Sequence, residues 1–305
     1  VTSVLPSDEV KRALDDGTAV VALESTIISH GLPRPDNLEF AREFEQRVRD
    51  AGATPATIAI VGGVPRIGLD DEALRTIALD ESTEKVSVRD LGAVMASGGH
   101  GATTVAATAL LAHRAGIRVF ATGGLGGVHR GAESSFDESA DLTTLAHTPV
   151  TVVAAGVKSV LDIGLTLERM ETLGIPVVGW RTDVFPRFWL RSSEFGVDHQ
   201  VHSGADVALM MANQDALGLR SGTLVANPVP EASQWDEHVH DQLVSDAFAA
   251  AEAEHIRGKD VTPFLLDYIQ RHSDGESLRV NIDVVRNNID VAAEIARAVA
   301  GTQPS

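Results

Sequence analysis

The 305-residue chain contains no cysteine. Disulfides, thiolate metal sites and cysteine nucleophiles are thereby excluded. Lysine is almost as scarce: Lys11, Lys85, Lys158 and Lys259 are four of 25 basic residues, and arginine supplies the rest. Aromatic residues make up 4% against a hydrophobic content of 44%, so the core must be built from Ala, Val, Leu and Ile. Positive charge is in deficit, and the net charge of −18 argues against a general binder of nucleic acid, which needs a basic face. It argues equally against an anionic membrane. A small phosphorylated ligand stays compatible, because a local cationic cluster outweighs the global field within about one Debye length, ~8 Å. No apolar run reaches the ~18 residues of a membrane span. The N-terminal stretch VTSVLPSDEVKRALDDG lacks a basic region followed by an apolar one, so no signal peptide is expected and the default is a soluble cytoplasmic protein. No repeat and no Pro/Gly/Ser-rich linker interrupts the chain, which predicts one domain over residues 1–305.

The sequence is organised around residues 119–158. Val119–Thr122 and Val150–Ala155 read as buried strands of an α/β protein. The first runs into Gly123-Gly124-Leu125-Gly126-Gly127, then His129 and Arg130, then the acidic Glu133, Asp137, Glu138 and Asp141. The second ends near Gly156, with Lys158 directly after. Ligands of open α/β sheets bind beyond strand ends, so these groups are expected to share a cleft. In a chain that prefers arginine, Lys158 has two readings. It is a nucleophilic amine, a task closed to arginine, or a lysine snorkelling from a helix start.

Other segments fit the same plan. Ser7 caps a helix over Asp8–Asp16. The strand Ala19–Leu23 delivers Glu24 to a desolvated edge, where a raised pKa suits general acid work; a structural partner for an arginine is the alternative. Leu32–Pro35 is a stiff loop expected to wall the cleft, and Asn37 a cap for the helix Leu38–Ala51. Thr57–Val61 is a strand and Asp70–Leu79 a helix. Alternation over Lys85–Leu91 puts Lys85, Ser87 and Arg89 on one face, either a phosphate site or a solvated edge. A glycine-rich entry leads to the helix Thr103–Ala115, whose free N–H groups suit an anion. Ser159–Leu173 and Ala205–Leu217 are further helices, and Pro176–Trp180 and Gly222–Ala226 further strands. The aromatic cluster of Trp180, Phe185, Phe188, Trp189 and Phe195 is a lid or an interface, or else a satellite core. Asn227-Pro228-Val229-Pro230 is a rigid loop at the edge of the site. Everything from Trp235 on is helical, with a loose tail at Gly301–Ser305. His238 and His240 lack a third ligand for zinc. Asp137 and Asp141 suit a hard divalent ion held partly through water, with helix capping as the alternative for Asp137.

Taken in order, several motifs collect: Glu24-Ser25-Thr26 with His30-Gly31-Leu32-Pro33; Lys85-Val86-Ser87 with Arg89-Asp90-Leu91; Gly101-Ala102-Thr103-Thr104-Val105; the glycine run through His129-Arg130-Gly131; Ser135-Phe136-Asp137 with Ser139-Ala140-Asp141-Leu142; and Gly156-Val157-Lys158-Ser159. Together they resemble the indigoidine synthase A family of pseudouridine-5′-phosphate glycosidases over almost the entire chain. One departure is Val88, where the family pattern has a second arginine. The resemblance implies an α/β/α sandwich around a mixed, largely parallel sheet, with a helical C-terminal region. It implies reversible conversion of pseudouridine 5′-phosphate and water to uracil and ribose 5-phosphate. A carbon leaving group needs an electron sink, which a Lys158 imine with the ring-opened sugar supplies, while Glu24 moves protons. By the same carry-over Asp137 holds Mn²⁺ or another divalent cation such as Mg²⁺. Lys85, Val105 (through its backbone), Ser139, Ala140 and Asp141 contact substrate, with His129 and Asn281 as further participants. A homotrimer is expected. Two other readings stand beside it: an aldolase-like lyase forming an imine with a sugar phosphate, and a nucleotide-binding module without activity, against which the presence of both Glu24 and Lys158 speaks.

Overall fold

The computed structural model describes residues 4–257 and 261–301. Its strands are β1 (Leu5–Pro6), β2 (Val20–Leu23), β3 (Thr54–Val61), β4 (Val64–Ile67), β5 (Glu84–Val86), β6 (Gly101–Thr103), β7 (Val119–Ala121), β8 (Val128–His129), β9 (Thr151–Ala154), β10 (Leu161–Asp162), β11 (Val177–Trp180), β12 (His199–Val201) and β13 (Thr223–Ala226). Its α-helices are α1 (Asp8–Asp15), α2 (Asn37–Asp50), α3 (Asp71–Leu79), α4 (Leu91–Ser97), α5 (Val105–Arg114), α6 (Ala132–Ser135), α7 (Ala140–Leu145), α8 (Ile163–Thr172), α9 (Gly204–Ala216), α10 (Glu237–Ala253), α11 (Val261–His272) and α12 (Glu276–Ala300).

Runs of Val, Ala and Leu make the central strands, which are buried on both faces as a covered parallel sheet requires. The order β3-β2-β7-β9-β13-β11-β12 is parallel throughout. Beyond β3 the sheet turns mixed, because β4 and β6 both pair with it antiparallel. The period of two sorts side chains between two cores. Val20 and Ala22 face the core that holds Val105, Ala109 and Ala112 of α5, whereas Val21 and Leu23 face Phe44 and Val48 of α2 and Ile289 and Ala292 of α12. Helices thus cover both faces, and the α/β/α expectation holds.

The connectivity places the site. From β2 the chain moves outward to β3, and it later returns to β7 on the other side of β2. At such a reversal the connections diverge and leave a crevice beyond the strand ends. Glu24 follows β2, Gly123 follows β7 and Lys158 lies beyond β9.

Several local expectations fail for identifiable reasons. Asn37 caps nothing: it is buried inside the first turn of α2, and its amide donates to Ile28 O and Ala78 O. The helix expected from Ser159 starts only at Ile163, where the Asp162 side chain accepts from Leu165 N. The residues in between pair as β10 with β8, so Lys158 does not stand at a helix start. Lys85–Leu91 is not one strand. After Val86 a capping box between Ser87 and Asp90 turns the chain into a 3₁₀ helix, which leaves the Arg89 side chain 78% exposed. Asn227 edges no site; it is buried and bonded to Asn288 of α12. The aromatic cluster resolves as core, with Phe185, Phe188 and Trp189 buried in it. Lys259 and the tail 302–305 lie outside the described residues.

Candidate active site

The turn after β2 is fixed by side-chain bonds. Ser25 Oγ donates to Ile58 O (2.7 Å) and accepts from Thr103 N (2.8 Å), tying the turn to β3 and β6. A π-helical turn, Ile27–Gly31, follows; such turns are rare and favour functional positions. It carries His30 and Gly31 to the cavity, which makes this turn, and not the proline loop after it, the wall. From β7, Thr122 donates a short hydrogen bond to Glu24 Oε1.

The glycine run is stitched to the segment before Lys158. Ala155 N donates to Gly123 O (2.9 Å), Leu125 N to Gly156 O (3.0 Å) and Lys158 N to Leu125 O (3.1 Å). Gly124 has no room for a side chain: a Cβ there would lie 2.6 Å from the Phe188 ring and 3.5 Å from Lys158 Cγ. Gly156 is equally constrained, with φ +77° and the Pro186 carbonyl 2.2 Å from where its Cβ would be. The Lys158 side chain therefore leaves a rigid double loop, backed by Phe188.

These elements enclose a cavity of about 420 Å³. Glu24, Lys85 and Lys158 line it from the strand ends, and Asn281 of α12 and Gln270 of α11 from the helices. Neither Lys85 nor Lys158 forms an ion pair among the described residues. Burial raises the Glu24 pKa; Lys158, the Thr122 hydroxyl and Lys85 oppose the rise, and Asp141 adds to it. A carboxyl whose pKa burial raises, in one cavity with an amine that forms no ion pair, can both give and take a proton. Lys85 keeps accessible surface, yet that surface faces a concave cavity; desolvation first and Lys158 second lower its pKa.

The other expected residues sit behind the wall. Asp141 is 6% exposed and both its oxygens are engaged, Oδ1 by Ala106 N (2.8 Å) and Oδ2 by Gly126 N (2.9 Å). It clamps the start of α5 to the glycine run. Ser139 caps α7 and packs against Gly126; Ala140 is the exposed first residue of that helix. Val105 is buried at the first position of α5, and its N–H has no acceptor among the described residues. The N–H groups of Thr103 and Thr104 are not free for an anion, since Ser25 Oγ and Val86 O take them. His129 reaches toward the cavity through Thr262 (3.4 Å) and lies 3.8 Å from Asp137. Burial lowers the His129 pKa, Asp137 raises it, and Lys158 and Lys85 lower it further.

Among the described residues no three His, Asp or Glu side chains converge as a metal cage. Mg²⁺ and Mn²⁺ need less, since one or two carboxylates with water suffice. The half-exposed Asp137 carboxylate, with no partner but His129 among the described residues, fits that role.

Sequence reasoning did not single out His30, Thr122 or Gln270 as site residues. His30 opens one of the family motifs, and Thr122 ends the strand before the glycine run. Gln270 carries no local signal, because α11 reaches the cavity only through packing.

A family model described as "Indigoidine synthase A like protein" matches residues 9–298. The chain is 56% identical over 295 residues to the pseudouridine-5′-phosphate glycosidase of Saccharopolyspora erythraea, covering 97% of each chain. It is 57% identical over 304 residues to the protein of the same name from Frankia alni, covering 100% of this chain and 84% of that one. Among solved structures, a prealnumycin C-glycosynthase in complex with ribulose 5-phosphate superposes with a TM-score of 0.92 at 37% identity, over 99% of both chains. A match so nearly complete, over the segments that build the cavity, makes this chain a member of the indigoidine synthase A-like family.

Proposed function

We propose that the protein cleaves the C–C glycosidic bond of pseudouridine 5′-phosphate, reversibly, to uracil and ribose 5-phosphate. The observation that carries the reading is a buried carboxyl, Glu24, and an unpaired lysine, Lys158, lining one cavity at the switch point of the sheet. The family relatives bear the name of this activity, and the related C-glycosynthase binds a pentose phosphate.

The chemistry follows from the groups present. Protonated Glu24 gives its proton to the ring oxygen O4′ as the Lys158 amine attacks C1′, and the C1′–O4′ bond opens. The Glu24 carboxylate then takes a proton from the ammonium formed at Lys158 and passes it to C5 of the base, which leaves the nitrogen with a lone pair. The C1′–C5 bond then breaks, its electron pair passing to the base while the nitrogen lone pair closes the imine. Water hydrolyses the imine and releases ribose 5-phosphate. Lys85 holds the phosphate from the cavity wall, and the Val105 N–H, without an acceptor among the described residues, supports it from the start of α5 behind that wall. Ser139, Ala140 and Asp141 shape the sugar end from behind the glycine run, and Asn281 and His129 attend the base and ring. A divalent cation at Asp137, Mn²⁺ or Mg²⁺, would supply positive charge and bound water near His129. The protein acts as a single domain in the cytoplasm, as a homotrimer.

The test is release of free uracil from pseudouridine 5′-phosphate, combined with borohydride reduction in the presence of ribose 5-phosphate. The expected adduct maps to Lys158, and Lys158→Arg neither traps nor turns over. An adduct on Lys85 or Lys259, or an active Lys158→Arg enzyme, would overturn the mechanism. Trapping without any uracil release would favour the aldolase-like lyase.

A further inference from the structure

Three basic side chains line the cavity: His30, Lys85 and Lys158. The proposed chemistry commits Lys158 to the sugar carbon. Lys85 and His30 remain, and they come from elements far apart in sequence, β5 and the π-helical turn after β2. The turn is rigid: Ser29 Oγ donates to Ile77 O (2.6 Å), and Asn37 ties Ile28 O to Ala78 O. The backbone that carries His30 is therefore held in the wall, while its ring is exposed and has no hydrogen-bond partner among the described residues. An unpaired imidazole that lines the same cavity as an unpaired lysine is arranged for an anionic ligand.

We propose that His30 is a second phosphate-binding side chain, which takes up a proton when the phosphorylated substrate binds. This rests on the function proposed above. The His30 ring keeps accessible surface within the cavity, yet partial desolvation first, then Lys85 and Arg34, lower its pKa and disfavour its charged form. Among the described residues the other charged groups on the cavity wall are Glu24, Lys158 and Asp267. A phosphate dianion beside Lys85 reverses the local field and favours imidazolium, which then donates to a phosphate oxygen. The sign is fixed: a pKa raised by the ligand means proton uptake on binding, and affinity that falls as pH rises through the raised value.

The experiment uses the full chain above pH 7, where the phosphate is a dianion. Inorganic phosphate and uracil serve as separate inhibitors of pseudouridine 5′-phosphate turnover. In His30→Gln, phosphate inhibition should weaken roughly 10- to 100-fold, the range for losing one charge-assisted hydrogen bond, with uracil inhibition unchanged. Calorimetry of ribose 5-phosphate binding in buffers of different ionisation enthalpy should show uptake of up to about one proton by the wild type and none by the variant. His30→Lys should restore phosphate inhibition without proton uptake. Equal weakening of both inhibitors, or unchanged proton uptake in His30→Gln, would overturn the proposal. A wild type that binds phosphate but releases no uracil would overturn the reaction and leave His30 as an anion ligand.

Discussion

Replacing Asp141 by asparagine separates the scaffold from the chemistry. The carboxylate accepts Ala106 N at 2.8 Å with one oxygen and Gly126 N at 2.9 Å with the other. Asparagine has one acceptor oxygen, so its amide nitrogen must face one of those N–H donors. One charge-assisted bond is lost and two buried donors are left opposed, at a combined cost of about 3–5 kcal/mol. Urea unfolding should show this as a lower midpoint with an unchanged slope. The second readout is electrostatic. The Asp141 charge adds to the rise of the Glu24 pKa. Removing it should move the limb of the pH–rate profile that reports Glu24 to lower pH. A variant within about 0.5 kcal/mol of wild type would refute the clamp. An unmoved Glu24 limb would refute the electrostatic coupling.

Two further outcomes are expected. Glu45 is 8% exposed, accepts from Thr57 Oγ1 at 2.6 Å, and has its pKa raised by burial, with Thr57 and Arg49 opposing. A raised carboxyl pKa means native stability is greatest below the unfolded value and declines as pH rises through the folded one; Glu45→Gln should remove that decline, and a wild-type dependence of melting temperature on pH in the variant would contradict the sign. Asp137→Ala should abolish Mn²⁺ binding in a direct titration while leaving the unfolding curve intact; undiminished affinity would place the ion elsewhere.

Much of the sheet was legible because its strands are short apolar runs punctuated by glycine, and because helices such as α1 carry their own caps. Ser7 accepts from Val10 N as its position predicts. Local reading failed where a distant group outbid it. Asn37 looks like a cap, but two carbonyls from other elements claim its amide. Ser159–Asp162 has helical composition, yet β8 captures Leu161 and Asp162. Alternation over Lys85–Leu91 was overridden by the Ser87–Asp90 capping box.

The candidate site divides along the same line. The sequence by itself determined the candidate reacting side chains of the proposed function: an isolated lysine and a carboxylate, each just past an apolar strand, in an ordered set of family motifs. Only the tertiary structure decided their roles relative to one another. It put Glu24, Lys85 and Lys158 on one cavity and moved Asp141 behind the wall as a clamp. It also put His30 on the same cavity as Lys85 and brought α11 to line it. Residue type and spacing report what a side chain can do within its own segment. Which donors, charges and walls it meets depends on contacts between segments far apart in the chain, and those are set by how the sheet and helices pack.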